Sequence, residues 1–186
     1  LGPDARIMVD TNQAWSLSEG RAALAWLVPH APDWLEEPLR ADRPAAEWEA
    51  LAAECPIPLA AGENFAGAAD FTAAAAGAAL SVIQPDLAKW GGPARCVAAG
   101  RQAIAAGRRY CPHYLGGGVG LIASAHALRA AGGDGLLEID ANPNPLRAEL
   151  AGYLAVDRGG VTLPDAPGLG LEPAALATVE HFRVPH

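Results

Sequence analysis

Cysteine and positive charge are both scarce in this chain. Cys55, Cys96 and Cys111 are the three cysteines among 186 residues, and their spacing matches neither a CxxC metal site nor a disulfide framework. We therefore expect reduced thiols in or near the core, as in a reducing compartment. The 13 lysines and arginines face 21 acidic residues, and the net charge of -8 disfavours nucleic acid and anionic membrane surfaces as partners.

Long apolar runs are also missing. No stretch reaches the roughly 18 apolar residues that a membrane-spanning helix needs, and the first residues are not a basic segment followed by an apolar one. These absences predict a cytoplasmic protein without a membrane segment. The chain has no initiator methionine and residues 7–9 already resemble a strand, so we expect it to be part of a longer polypeptide.

Short apolar or β-branched runs alternate with alanine-rich stretches as far as about residue 140, in a chain that is 51% hydrophobic. This alternation predicts parallel strands that are joined by helices. The predicted strands cover residues 6–9, 33–35, 57–60, 80–83, 108–111 and 135–137. The predicted helices cover residues 17–29, 44–54, 67–76, 92–106 and 119–131.

A polar residue able to do chemistry stands at or just after the end of every predicted strand. These residues are Asp10, Glu36, Glu63, Asp86, His113 and Glu138, and subtraction of their positions gives intervals of 26, 27, 23, 27 and 25 residues. Eight β/α units of a barrel take roughly 250 residues, so each interval has the length of one unit. We therefore predict an α/β fold, a (β/α)8 TIM-type barrel of which about six β/α units, the third to the eighth, occupy residues 1–150. Residues 151–186 are predicted to form a C-terminal tail with a short β ribbon.

The first three strand-end groups, Asp10, Glu36 and Glu63, are carboxylates on consecutive strands. Three hard oxygen donors, with room for water and substrate oxygens, suit Mg²⁺ or Mn²⁺ better than zinc. Without a cation, converging carboxylates would raise one another's pKa values. Strand alternation lets only one of Glu36 and Glu37 face the mouth of the barrel, and we assign Glu36. The sequence thus predicts a magnesium site.

His113 and Asp86 are predicted to lie on neighbouring strands. The carboxylate can then hold one imidazole nitrogen and leave the other free as a general base near neutral pH, although a lone histidine is more often structural. Glu138 ends the last predicted strand. If burial raises its pKa, its carboxyl can donate a hydrogen bond to a substrate carboxylate as charge develops there, and its alternative role is to cap a helix.

Seven segments together resemble the C-terminal barrel domain of the enolase superfamily, in its mandelate racemase branch. They are Met8–Trp15, Trp34–Pro38, Ala61–Asn64, Gln84–Gly92, Cys111–His113, Leu137–Asp140 and Pro164–Gly170. The resemblance implies a magnesium site, a base dyad, an acid that assists the substrate carboxylate and a substrate contact. The magnesium ligands would be Asp10, Glu36 and Glu63, and the base dyad would be His113 with Asp86. Glu138 would be the acid that assists the substrate carboxylate, and Asn12 would be the substrate contact.

Enzymes of this superfamily use a lysine or histidine base and Mg²⁺ to stabilise an enediolate. The resemblance therefore implies a Mg²⁺-dependent dehydratase, a hydro-lyase that removes the proton alpha to the carboxylate of an acid sugar and yields a 2-keto acid. The alternative is a racemase or epimerase of a 2-hydroxy acid. The expected partner is a small-molecule carboxylate, and we expect the full-length enzyme to be a homo-oligomer.

The beginning of the chain departs from the family pattern. Relatives carry an N-terminal capping domain, toward which the tail is expected to pack, and a second barrel strand with a Lys-x-Lys motif, and neither is present here. A further hypothesis is therefore an inactive fragment or pseudoenzyme that keeps the metal-binding fold. A metal-dependent hydrolase barrel is less consistent with the sequence, because such sites usually gather several histidines around zinc.

Overall fold

The computed structural model describes residue 2, residues 5–178 and residue 180. Five parallel strands form one sheet, and their order in the sheet is their order in the chain. The strands are β1 (Met8–Asp10), β2 (Trp34–Glu36), β3 (Leu59–Ala61), β4 (Val82–Ile83) and β5 (Arg109–Tyr110). Each strand pairs in parallel with the next, so the predicted parallel sheet is confirmed.

Helices follow the strands in alternation, close to the predicted positions. They are α1 (Leu17–Leu27), α2 (Ala45–Glu54), α3 (Ala68–Ala76), α4 (Gly92–Ala105) and α5 (Gly118–Ala131), then the short α6 (Pro145–Ala148) and α7 (Pro173–Thr178). The start of α1 is fixed by a capping box. Ser16 Oγ accepts a hydrogen bond from the Glu19 N–H at 3.3 Å, and the Glu19 carboxylate accepts one from the Ser16 N–H at 2.8 Å.

The two faces of the sheet carry different side chains because residues alternate along each strand. Leu35, Leu59 and Ile83 face the side on which the first four helices pack, and they form the main core with Ala23, Leu27, Trp48, Leu51, Phe71, Ala75, Ala99 and Ala103. The opposite face has a smaller cluster of Trp34, Ala60, Val82 and Cys111. The first four helices therefore cover one face of the sheet.

The prediction of a sixth strand at residues 135–137 is wrong, because these residues are not part of any strand. The backbone at Gly135 lies so close to β5 that a Cβ there would overlap the carbonyl oxygen of Tyr110. The N–H of Leu136 is directed at Cys111 Sγ, 3.3 Å away, rather than at a strand carbonyl. The segment thus lies beside β5 without the backbone hydrogen bonds of a ladder.

The C-terminal part contains the β ribbon that the sequence predicted. Strands β6 (Ala155–Asp157) and β7 (Gly160–Thr162) pair in antiparallel fashion. A separate apolar cluster joins this region to α5 through Leu121, Ile122, Leu150, Leu154 and Ala175. Residues 179 and 181–186 of the predicted tail lie outside the described residues, and packing of the tail toward a capping domain stays a prediction.

All three cysteines are free thiols. Cys96 and Cys111 are buried, and burial raises the pKa of the Cys96 thiol to about 12. Across the described ranges, every helix is too short or too polar to pass through a lipid bilayer.

Candidate active site

The candidate site lies at the carboxyl edge of the sheet. Asp10 and Glu36 are the last residues of β1 and β2 and are partners in the strand register. Glu63, Asp86 and His113 follow β3, β4 and β5 by two or three residues. Parallel strands bring their carboxyl ends to one edge, so the five groups share it.

His113 lies at the centre of this edge, with only 4% of its side chain exposed. Its Nδ1 is 2.7 Å from Asp86 Oδ2, and its Nε2 contacts Glu63 Oε2. Burial lowers the pKa of His113, but the hydrogen bonds to the two carboxylates outweigh burial and raise the pKa to about 10. In this arrangement Asp86 and Glu63 favour the charged, proton-donating form of His113.

Asp86 is held by three hydrogen bonds. Its Oδ1 accepts from the backbone N–H groups of Ala88 and Lys89 at 2.7 and 3.1 Å, while Oδ2 faces His113. Burial opposes the charge of Asp86, but these hydrogen bonds lower the pKa of its carboxyl below the usual value. The carboxylate is therefore fixed as a charged partner of the imidazole.

Glu63 contacts two cations. Besides His113, the Nζ of Lys89 lies 3.2 Å from Glu63 Oε1. Burial raises the pKa of Glu63, yet the hydrogen bond and charge of His113, followed by those of Lys89, lower it to about 2. Lys89 was not identified from the sequence, although its position three residues after Asp86 on the same loop is a signal that could have revealed it.

The position of Glu63 depends on the glycine before it. Gly62 has a φ of +147°, and a Cβ there would lie 2.7 Å from the backbone nitrogen of Gln84. The Gln84 N–H donates to the Ala61 carbonyl at 3.0 Å, so the two loops touch through their backbones. Only glycine permits this approach, which brings Glu63 within reach of the loop that bears Asp86.

Asp10 and Asn12 contact one another at the end of β1. The backbone N–H and the side-chain Nδ2 of Asn12 donate to Asp10 Oδ1 and Oδ2 at 2.8 and 2.7 Å. Asn12 has a φ of +47°, a left-handed conformation that asparagine tolerates better than most residues. The structure therefore places the predicted substrate contact against a predicted metal ligand.

Glu36 accepts a hydrogen bond from Trp34 Nε1 at 2.9 Å, and the side chain of Gln84 also hydrogen-bonds to it. Burial raises the pKa of Glu36 despite these two donors, and the charge of Asp10 adds to the rise. Glu36 is thus a carboxylate whose charge is poorly compensated by the protein.

Glu138 reaches the site although its segment is not a strand. Its Oε2 accepts a hydrogen bond from the Tyr114 N–H at 2.9 Å and lies 4.0 Å from His113 Nε2. Burial raises the pKa of this carboxyl, against the opposing effects of the Tyr114 N–H and the His113 charge. The direction of this shift is the one expected from the sequence, while the catalytic role stays a prediction.

Glu37 and Asn64 were missed by the sequence analysis. Glu37 is only 2% exposed and has a φ of +40°, so strand alternation ends there and its side chain turns toward the loop after β3. Burial, opposed by the hydrogen bond from Asn64, raises the pKa of Glu37 to about 7. A second glutamate followed by proline at a strand end is the signal that could have drawn attention to it.

The donor chemistry of the predicted metal set fits Mg²⁺, since Asp10, Glu36 and Glu63 offer carboxylate oxygens alone. In the part of the chain that the structure describes, however, no three His, Cys, Asp or Glu side chains are arranged to hold a metal ion. Asp10 instead accepts a hydrogen bond from Asn12, Glu36 accepts one from Trp34, and Glu63 contacts His113 and Lys89. The metal set therefore stays a prediction, and a bound cation would compete with His113 and Lys89 for the oxygens of Glu63.

Comparison with known proteins gives a consistent result. The family model described as enolase C-terminal domain-like matches residues 1–177. A D-galactarolactone cycloisomerase from Agrobacterium fabrum is 33% identical over 194 residues, covering 100% of this chain and 51% of that protein. An arabinonate dehydratase from Saccharolobus solfataricus is 29% identical and covers 91% of this chain and 45% of that protein.

Solved structures agree with these matches. A mandelate racemase/muconate lactonizing enzyme from Bordetella bronchiseptica RB50 superimposes with a TM-score of 0.88 at 52% identity, covering 97% of this chain and 50% of that one. A racemase from Streptomyces coelicolor A3(2) with bound magnesium gives a TM-score of 0.76 at 26% identity, covering 91% and 44%. The chain spans about half the length of the relatives that it matches.

Proposed function

The chain belongs to the enolase C-terminal domain-like family, and from this membership and the carboxyl-edge geometry we propose that it carries the catalytic half of an acid-sugar dehydratase. The parallel sheet corresponds to the C-terminal part of the barrel of that superfamily. In the proposed reaction, the proton alpha to a carboxylate is removed, an enediolate forms, and loss of the neighbouring hydroxyl gives an enol that becomes a 2-keto acid.

The observation that carries this proposal is the buried pair of His113 and Asp86, with 2.7 Å between Nδ1 and Oδ2. Asp86 fixes the orientation of the imidazole, so that Nε2 is the nitrogen directed at the other strand-end carboxylates. At this atom His113 accepts the α-proton when it is neutral and delivers a proton to the departing hydroxyl when it is charged.

The proposed metal ligands are Asp10, Glu36 and Glu63, which would hold Mg²⁺ or Mn²⁺. The bound cation would supply the positive charge that stabilises the developing enediolate oxygens. The raised pKa of Glu36, caused first by burial and increased by Asp10, supports this assignment, because a bound cation would stabilise its charged form.

Three further residues have proposed roles toward the substrate. Glu138, with a pKa raised by burial, would donate a hydrogen bond to the substrate carboxylate when its carboxyl is protonated. Asn12 would contact substrate next to Asp10. Lys89 would supply positive charge for an acidic substrate in a chain whose net charge is -8.

The second candidate is an isomerase, in which the same proton removal is followed by return of a proton rather than loss of hydroxide. A racemase or epimerase of a 2-hydroxy acid belongs to this class. The relative named as a cycloisomerase and the structure named as a racemase favour it. The alternative outside the enzyme classes is a non-catalytic fragment that keeps the metal-binding fold.

Calorimetric titration of Mg²⁺ into the metal-free chain tests the proposal at its first step, with Glu63→Gln alongside and with Glu54→Gln as a matched surface control. Binding by the wild type and the control, but not by Glu63→Gln, is the expected result. The second step incubates the Mg²⁺ form with acid sugars in deuterium oxide. Formation of a 2-keto acid supports dehydration, deuterium at the α-carbon of recovered acid supports the isomerase, and no binding by a folded wild type supports the fragment.

A further inference from the structure

Asn64 joins two carboxylates, only one of which the proposed reaction uses. Its Nδ2 lies 3.0 and 2.9 Å from the two oxygens of Glu37 and 2.8 Å from Glu63 Oε1. An amide nitrogen carries two hydrogens, so one is available for each carboxylate. Asn64 therefore bridges the buried Glu37 to a proposed metal ligand.

Glu37 is a fixed acceptor for this bridge. Its carbonyl oxygen accepts hydrogen bonds from Thr11 Oγ1 and from the Gln13 N–H, both at 2.8 Å. Its own N–H donates to the Ala60 carbonyl at 2.9 Å. These contacts with the β1 loop and with β3 hold the left-handed conformation of Glu37, which a glutamate rarely adopts.

We propose that Glu37 is a positioning residue that acts through Asn64 to orient the Glu63 carboxylate for a divalent cation. This inference rests on the proposed function, since it takes Glu63 as a metal ligand. His113 and Lys89 also contact Glu63, but they are cations and compete with a metal for its oxygens. Asn64 is the neutral donor, and it fixes the Glu63 side chain without adding positive charge.

Outer partners of this kind matter for metal binding. Ligating carboxylates are themselves hydrogen-bonded, and loss of the outer partner typically costs about 10- to 100-fold in metal affinity. Both ends of the Glu37–Asn64 contact should therefore affect Mg²⁺ binding, although neither residue is proposed to touch the cation.

The experiment measures the Mg²⁺ dissociation constant of the chain by calorimetry for five proteins. Asn64→Leu removes the donor, and Glu37→Met removes the acceptor at similar size. Both are expected to weaken Mg²⁺ about 10- to 100-fold. Glu37→Gln should recover part of the affinity, because its amide oxygen still accepts from Asn64. The control is Asn142→Leu, which removes a similar hydrogen bond of 2.8 Å to Asp140 and should leave the affinity unchanged.

A double variant tests whether Glu37 acts on the metal site through Asn64. Glu37→Met in the Asn64→Leu background should weaken Mg²⁺ no further, because Glu37 acts only through Asn64. Asn64 is exposed, so Asn64→Leu is expected to fold, and Asn64→Ala is a second variant with the same expected loss. Wild-type affinity in the single variants, or losses that multiply in the double variant, would overturn the positioning role. Failure of the wild type itself to bind Mg²⁺ overturns the proposed function and this inference with it.

Discussion

The face of the sheet on which the first four helices pack, here called the outer face, carries Leu35, Leu59 and Ile83, each at most 1% exposed. The carboxyl edge of the sheet instead buries Glu37, Asp86 and His113, which are 2 to 4% exposed. On the outer face, every buried side chain loses apolar surface to the helices, and each contributes to stability in the same direction. At the edge, the buried groups are titratable, and their pKa values move both up and down. Packing alone therefore explains the first region but not the second.

The carboxyl groups at this edge fall into two sets, one with lowered and one with raised pKa values. Hydrogen bonds and nearby cations overcome burial at Glu63 and Asp86 and lower the pKa of each, so their charged forms stabilise the fold. At Glu36 and Glu37 burial prevails and raises the pKa, so their charged forms cost free energy. Ionisable groups that are buried at a cost to stability are characteristic of functional sites.

The largest expected effect lies in the core between the outer face and the helices, to which α2 contributes Leu51. Leu51 is fully buried in the main core, and Leu51→Ala should lower the free energy of unfolding by about 2 to 5 kcal/mol through lost burial and a cavity. Urea unfolding measures the change. The matched control is Leu115→Ala at a side chain that is 58% exposed, where a change within about 0.5 kcal/mol is expected. Equal losses in the two variants would contradict the assignment of the core.

The second effect concerns the edge and depends on the metal. If the proposed site binds Mg²⁺ in the folded chain alone, the wild type should gain about 2.7 kcal/mol against unfolding at free Mg²⁺ of about 100 times the dissociation constant. Glu63→Gln should gain nothing, while Leu51→Ala should keep the full gain. Thermal melting with and without Mg²⁺ gives both values. The comparison fails if the core variant loses the Mg²⁺ effect or the edge variant retains it.

The third effect is a pH dependence of the metal-free chain. The pKa of His113 in the folded chain is about 10, raised by Asp86 and Glu63 against burial, and the ordinary value is 6.5. Its contribution to stability is therefore fully present below pH 6.5 and is lost as the pH rises through 10. Urea unfolding between pH 6.5 and 10 should show this fall, and Asp86→Asn should show a smaller one. If the wild type and Asp86→Asn lost stability equally as the pH rises, the pairing of His113 with Asp86 would not be the source of the fall.

The smallest effect is a gain in stability. Burial raises the pKa of Glu36, so its charged form destabilises the metal-free chain at neutral pH. Glu36→Gln should then raise the melting temperature by a few degrees while it weakens Mg²⁺ binding, the opposite of what Leu51→Ala does. A calorimetric scan and a Mg²⁺ titration on the same sample provide the test. A fall in melting temperature would show that Glu36 stabilises the fold.

Local patterns predicted the strands and helices well and the strand-end details less well. Apolar runs located β1 to β5 because each run is buried on at least one face. The segment at residues 135–137 is also apolar but does not pair, and its Gly135 instead lies close to the carbonyl of Tyr110. Glu37 was set aside because strand alternation excludes it, and its left-handed backbone removes that restriction.

The sequence by itself determined the order of the β/α units and the spacing that brings Asp10, Glu36, Glu63, Asp86 and His113 to one edge. That information is local, because periodicity and chain length fix which strand each residue follows. Only the tertiary structure decided that Asn64 joins Glu37 to Glu63 and that Lys89 and His113 both contact Glu63. These contacts depend on how loops from different strands approach one another, and such distances are set by packing across the sheet rather than by any single stretch of sequence.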